Sequence, residues 1–212
     1  MGRVGIYGTG GFGREILPLM RRYIAHRDGA AELVFVDDAA TSQGVLGIPV
    51  IPFDGLKEGD AYVLAIGSGE IRRKLDERCR DAGLTPVSLF AESYRAGDAI
   101  AIGDGAVFCD NTMVTTSATI GRQFQCNIYS YVAHDCVIGD YVTFAPKVAC
   151  NGNVHVEDFA YIGTGAVLRQ GTPEKPLRIG RGAVVGMGAV VTKDVPAGET
   201  VVGNPAAKLN RA

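Results

Sequence analysis

A side chain that exchanges protons near neutral pH is most simply a histidine, and the chain has three: His26, His134 and His155. His26 lies among Arg22, Arg27 and Asp28 and reads as a solvated helix-end residue. His134 stands in Tyr131-Val132-Ala133-His134-Asp135-Cys136 with a carboxylate as its immediate neighbour, and His155 falls in Asn153-Val154-His155-Val156. A second kind of chemistry is spelled near the N-terminus, where Gly8, Gly10 and Gly13 form G-x-G-x-x-G. After a strand and at the opening of a helix, such a turn offers backbone N–H groups and the helix dipole to a phosphate. Asp37 and Asp38, at the end of the following strand, could take a ribose hydroxyl, so an NAD-dependent oxidoreductase is one reading of these residues. Five cysteines, Cys79, Cys109, Cys126, Cys136 and Cys150, make an odd set without C-x-x-C spacing. They read as reduced thiols, with Cys126 and Cys150 as small buried hydrophobes and Cys136 at an inward position hidden from substrate.

The elements that must hold these residues divide the chain in two. The first part alternates strands and helices: a strand Arg3 to Tyr7, a helix opening near Gly13, strands Leu33 to Val36 and Tyr62 to Ile66, a helix Glu70 to Ala82 stopped by Gly83, and a strand Pro86 to Phe90. That alternation implies a parallel sheet covered by helices. Only about ninety residues are available, enough for one mononucleotide half of a dinucleotide-binding sheet, so one nucleotide fits better than two. We place this half-Rossmann α/β domain at residues 1–95 and a second, all-β domain at 96–212.

The second part is a repeat. Every sixth residue from Ile102 through Phe108, Val114, Ile120, Cys126, Val132, Ile138, Phe144, Cys150, Val156 and Ile162 to Leu168 is apolar. At the apolar fraction of this chain that run would arise by chance roughly once in ten thousand. Four residues after each comes a mostly small or apolar residue, with Phe124 the large exception. A period of six suits short strands joined by tight turns around a three-sided prism, one coil for every three hexads. Gly103, Gly121, Gly139 and Gly163, each just after an inward position, fit the turns. The pattern resumes at Ile179, Val185 and Val191, so the stretch Gly171 to Arg178 must leave the prism as a loop at one corner.

The net charge of −2, without a stripe of Lys or Arg, gives no field for a polyphosphate backbone, and nucleic acid is not an expected partner. No apolar run approaches the roughly 20 residues of a membrane span, and the N-terminus lacks the apolar stretch of a signal peptide, so a cytoplasmic protein without membrane attachment is expected.

The hexads, with Gly203-Asn204-Pro205-Ala206-Ala207-Lys208 at the end, resemble the left-handed parallel β-helix of the hexapeptide-repeat acyltransferases. Gly8-Thr9-Gly10-Gly11-Phe12-Gly13-Arg14-Glu15, Phe35-Val36-Asp37-Asp38 and Ala65-Ile66-Gly67-Ser68-Gly69-Glu70-Ile71-Arg72 narrow the resemblance. Together they are similar to the sugar acetyltransferases of the bacillosamine-pathway and sialic-acid O-acetyltransferase-like family. The resemblance implies acetyl-CoA as co-substrate, a nucleotide-sugar acceptor, and homotrimers with active sites between subunits. It implies that Gly10, Gly11, Phe12 and Gly67 contact the nucleotide-sugar and that Asp37 with Asp38 faces its nucleoside. It makes His134 the general base of a direct transfer, tuned by Asp135, with Asn127 also in the active site. Gly152, one coil beyond His134, would offer its N–H to the thioester carbonyl, and Thr164 and Met187 would line the pantetheine groove. Many relatives carry a histidine where this chain has Phe12, and a second, CoA-contacting histidine where it has Thr143. Zinc enzymes on this prism need three converging histidines, and the repeat holds two, so no metal is expected. Nitrogen or oxygen as the acceptor stays open, as do the oxidoreductase and a non-catalytic β-helix binding module.

Overall fold

The computed structural model describes residues 2–26, 31–39 and 44–209, which form two compact units, Met1–Leu89 and Phe90–Ala212. Arg95–Ala96 pairs in parallel with Met113–Val114 and so lies in the second unit.

In the first unit the elements are β1 (Arg3–Tyr7), α1 (Gly11–Glu15), α2 (Leu17–Ala25), β2 (Glu32–Val36), β3 (Gly44–Val45), β4 (Ile48–Ile51), β5 (Ala61–Leu64), α3 (Gly69–Asp81) and β6 (Thr85–Pro86). The sheet order is β3-β4-β2-β1-β5-β6, parallel except for the β3–β4 hairpin, which the sequence reading did not contain. β1 is flanked by β2 and β5, so its carboxyl end opens where the chain crosses from one side of the sheet to the other. The helix expected near Gly13 opens two residues earlier, and the expected strand Pro86 to Phe90 is two short pieces, Thr85–Pro86 and Leu89–Phe90. Ser68 caps α3 through its hydroxyl, which accepts from the Ile71 N–H. His26 ends α2 and is exposed, as read; Arg27 and Asp28 lie outside the described residues.

The second unit is a parallel β-helix of three faces. Face 1 carries Val107–Phe108, Gln125–Cys126, Thr143–Phe144, Tyr161–Ile162 and Val184–Val185. Face 2 carries Met113–Val114, Tyr131–Val132, Ala149–Cys150, Val167–Leu168 and Val190–Val191. Face 3 carries Ala118–Ile120, Val137–Ile138, Val154–Val156 and Leu177–Ile179. Each strand pairs in register with the one a coil away, as Val132 with Cys150 and Ile138 with Val156. The hexad positions fill the interior; all twelve are buried except Ile102, which packs against the core partly exposed. Phe124 is fully buried and stacks edge-on between Phe108 and Phe144, so the large exception fills the prism. The excursion between Leu168 and Leu177 is shorter at its end than expected, because Leu177 and Arg178 belong to the face 3 strand and pair with Val154 and His155.

The corners turn through left-handed backbone at six-residue intervals, as at Asn111, Ser117, Gln123, Tyr129, Asp135, Tyr141, Lys147, Asn153 and Phe159, with φ between 49° and 63°. These are not the glycines that the sequence suggested. Gly103, Gly121 and Gly139 are needed for space instead, since a Cβ on each would stand 2.5–2.6 Å from atoms of the next coil.

Candidate active site

The corner between faces 2 and 3 carries His134, whose imidazole is partly exposed. Its Nδ1 lies 2.7 Å from Oδ2 of Asp135, the left-handed corner residue. With Nδ1–H donating to that carboxylate, Nε2 keeps its lone pair for a proton. One coil along, Gly152 lies under the ring: a Cβ on residue 152 would be 2.4 Å from both Cε1 and Nε2 of His134. The stacking expected from their spacing is present, and glycine there is what leaves room for the imidazole.

Beyond some strands the backbone N–H two residues on is capped by a carboxylate of a neighbouring coil, as the Arg181 N–H is by Glu157 Oε2 at 2.9 Å. At the corner between faces 3 and 1 these donors are capped: the Arg122 N–H donates to Asp140 Oδ1 and the Asp140 N–H to Asp158 Oδ1, both at 2.9 Å. At the His134 corner the equivalent of Asp158 is Gln170, which is exposed and makes no such bond. Among the described residues the Gly152 N–H has no protein acceptor. No motif announces this donor, because the signal is an absent cap one coil away.

Asn127, Thr164 and Met187 fall on a different corner, between faces 1 and 2. From Asn127 to His134 the chain turns at Ile128 and Tyr129 and then crosses face 2. Asn127 Nδ2 donates to Phe144 O at 2.7 Å, the same coil-closing bond that Asn151 makes to Leu168 O. Its carbonyl oxygen is what remains for a ligand. Met187 is 81% exposed, and Ile128 and Tyr129 are exposed on the same corner. Thr143 is buried on face 1 and belongs to neither corner. His155 is on face 3 beside Arg178, lining a hollow of about 350 Å³; burial first, then Arg178, pushes its pKa below the usual histidine value. The thiols of Cys136 and Cys150 lie 4.0 Å apart inside the prism, and all five cysteines are buried and outside any disulfide. Among the described residues no group of three or more His, Cys, Asp or Glu is arranged to hold a metal ion.

In the first unit the glycine loop sorts into two kinds of position. Gly8 has φ 113°, and a Cβ on Gly13 would stand 2.0 Å from Gly8 O, so the fold itself demands both. A Cβ on Gly10, Gly11 or Gly67 would meet nothing within 4 Å. Phe12 is partly exposed on α1 beside them. Asp37 Oδ2 accepts from the Thr9 hydroxyl at 2.6 Å, tying the loop to the end of β2. Asp38 is engaged on both oxygens, by the Phe53 N–H on one and by Tyr7 and Arg78 on the other. Burial alone would raise the Asp38 carboxyl, but these bonds outweigh it and hold the group below the usual carboxylate range. Arg78 also covers the Phe53 ring at 3.8 Å. The Tyr7–Asp38–Arg78–Phe53 set escaped the sequence reading because its members lie far apart in the chain. Arg72, fully buried, donates to the carbonyls of Ile66 and Gly67 and so fixes the loop after β5.

Residues 3–79 match the family model described as the PglD N-terminal domain. Over the whole of this chain and 98% of the relative, the sequence is 45% identical to GDP-perosamine N-acetyltransferase of Escherichia coli O157:H7. The chain belongs to the sugar acetyltransferases with a PglD-type N-terminal domain. This acetyltransferase is therefore an acyltransferase, and the dehydrogenase that the glycine motif alone left open is set aside. It is similar to WeeI from Acinetobacter baumannii AYE, with 47% identity, 98% of this chain and 99% of that one covered and a TM-score of 0.93. It is also similar to PerB from Caulobacter crescentus in complex with CoA and GDP-perosamine, with 26% identity, 99% and 98% covered and a TM-score of 0.84. Among the described residues no helix is long and apolar enough to cross a membrane.

Proposed function

We propose that the protein transfers the acetyl group of acetyl-CoA to the amino group of a GDP-linked amino sugar of the perosamine kind, with His134 as general base. The observation that carries the mechanism is the His134 imidazole, held through Nδ1 by Asp135 and resting on Gly152, whose N–H has no protein acceptor. Nitrogen rather than oxygen as the acceptor, and guanosine as the nucleoside, rest on the relatives that share its full length.

In this reading the sugar nitrogen bonds to the thioester carbonyl carbon while Nε2 of His134 takes its proton. Asp135 steadies the imidazolium that forms. The developing oxyanion accepts from the Gly152 N–H, a donor fixed before the reaction starts. Collapse breaks the C–S bond, and the imidazolium returns the proton to the sulfur, leaving an amide and free CoA.

Gly10 and Gly11, which the fold does not require, leave room for a diphosphate to approach the backbone. Phe12 and Gly67 border that approach, and Asp37 and Asp38 shape its nucleoside end. Thr164 and Met187 on the corner between faces 1 and 2 would hold pantetheine, with Asn127 beside them, while Thr143, buried on face 1, stands away from both corners. His134 and Met187 lie on different corners of one chain, so the site is completed when a second copy sets its Met187 corner against the His134 corner of the first. The exposed Ile128, Tyr129 and Met187 give that contact apolar surface, and a ring of three copies closes it. Five cysteines outside any disulfide fit a cytoplasmic setting.

The test is thiol release from acetyl-CoA across a panel of GDP-, UDP- and dTDP-linked amino sugars. Turnover should be highest with a GDP-linked amine. Equal turnover with a hydroxyl sugar, or none with any nucleotide-linked amine, would overturn the assignment.

A further inference from the structure

Glycine at 152 makes room for the His134 ring, but it also leaves the backbone there with more conformational freedom than any other residue would. A donor that must be fixed before the reaction starts therefore has to be held by its surroundings. On the far side of Gly152 the chain is pinned twice: the Asn153 N–H donates to His134 O, and Gly152 O accepts from the Gly171 N–H, both at 3.0 Å. On the near side, the peptide that carries the Gly152 N–H has Asn151 O as its carbonyl oxygen. That oxygen accepts from the Cys136 thiol at 3.2 Å inside the prism.

The weak point of this frame is the residue before the glycine. Thr115, Ala133 and Arg169, each one position past a face 2 strand, donate their backbone N–H to a carbonyl of the next coil at 2.9–3.0 Å. Asn151 holds the same position, and its bond to Leu168 O is stretched to 3.4 Å. Its side chain takes up the slack: Nδ2 donates to the same Leu168 O at 2.8 Å, and Oδ1 accepts from the Tyr131 hydroxyl at 2.9 Å. Asn127 makes the same Nδ2 bond to Phe144 O, but beside a backbone bond of 3.0 Å and, among the described residues, with no hydroxyl on its oxygen. The tyrosine-braced amide is thus found at the coil end that carries the uncapped N–H.

We propose that Tyr131 and Asn151 are positioning residues for acetyl transfer: the Tyr131 hydroxyl fixes the Asn151 amide, and the amide fixes the direction of the Gly152 N–H. The inference rests on the oxyanion reading of Gly152 above and adds what aims that donor. Neither side chain touches the reacting atoms. Both act through the Asn151–Gly152 peptide, so their worth is realised when charge develops on the thioester oxygen and not when the substrates bind.

The experiment is steady-state kinetics of the full chain by thiol release from acetyl-CoA. Tyr131→Phe deletes the hydroxyl and keeps the ring. Its kcat should fall about five- to tenfold, the worth of one hydrogen bond, while KM for both substrates stays within about twofold of wild type. The pH at which kcat rises should not move, because the base is untouched. Asn151→Ala removes the whole brace and should cost roughly 10², as losing the donor itself does, with melting curves to check that both variants fold. The deciding measurement is Tyr131→Phe in the background of Gln170→Asp, which puts a carboxylate where Asp158 caps the equivalent N–H at another corner. With the Gly152 N–H already capped, loss of the hydroxyl should cost nothing further, whereas a general loosening of the fold would add its full effect. Wild-type kcat in Tyr131→Phe, or an undiminished five- to tenfold loss in the Gln170→Asp background, would overturn the proposal and leave Gly152 as the donor. Wild-type kcat in Gln170→Asp alone would bring down the Gly152 reading, and the proposal with it.

Discussion

The imidazole of His134 lies so close over the α-carbon of Gly152 that a methyl group there would stand 2.4 Å from Cε1 and Nε2. The ring is partly exposed and can swing out, so Gly152→Ala should fold almost normally while displacing the base from its working position. A misplacement of about 1 Å costs on the order of 10²-fold in rate. We expect kcat to fall by about that factor with a melting temperature within a few degrees of wild type, read by thiol release and calorimetry. Unchanged kcat would mean that the ring does not work from this position.

His134→Ala should lower kcat by about 10² to 10⁴, the usual worth of a general base. Asp135→Asn should cost less, because it only orients the ring and stabilises its charged form. The His134→Ala deficit should shrink at high pH, where the amine acceptor arrives deprotonated. Near-normal turnover of His134→Ala would transfer the role to another residue, and His155 would be tested next.

Gln170→Asp tests the Gly152 donor without touching the base. Asp158 caps the Asp140 N–H from the equivalent position at another corner, so an aspartate at 170 should cap the Gly152 N–H in the same way. The oxyanion would lose its donor, and kcat should drop by about 10² to 10³. Stability should be unchanged or slightly raised. A variant as active as wild type would argue against Gly152 as the oxyanion donor.

The glycine loop predicts a split result. Gly13→Ala places a carbon 2.0 Å from Gly8 O and should destabilise the first unit by about 1–3 kcal/mol, as overpacking does. At Gly11 a Cβ meets nothing within 4 Å, so Gly11→Val should leave the melting temperature nearly unchanged while raising KM for the nucleotide-sugar but not for acetyl-CoA. A parallel rise in both KM values would contradict the assignment of this loop to the sugar substrate.

Asp38 has a carboxyl held below its ordinary pKa, so it contributes stability that is fully present above the unfolded value of about 3.9 and is lost as pH falls through the folded value. Asp38→Asn should therefore melt below wild type at pH 7, with the gap closing below about pH 4. The effect should be small, since the side chain is 44% exposed and screened. A gap that persisted undiminished at pH 3 would place its origin in packing rather than charge.

The sequence by itself determined which side chains enter the prism, because inside and outside alternate by strictly local rules and the six-residue period is written in residue type. It also determined that Gly152 stacks on His134, since one coil is a fixed count of residues. It did not determine the turn backbone: the left-handed corners are held by Asn111, Gln123, Tyr129, Lys147 and Phe159, which share no residue type, while the regular glycines serve close stacking. Tertiary structure alone separated Gly10 and Gly11 from the structurally required Gly8 and Gly13, because that depends on which atoms come near. It alone left the Gly152 N–H uncapped and set His134 and Met187 on different corners. It also brought the Tyr131 hydroxyl onto the side-chain amide of Asn151. Each of these depends on which atoms come near between coils or across a sheet, fixed by register and side-chain reach, and none is encoded within any single stretch of sequence.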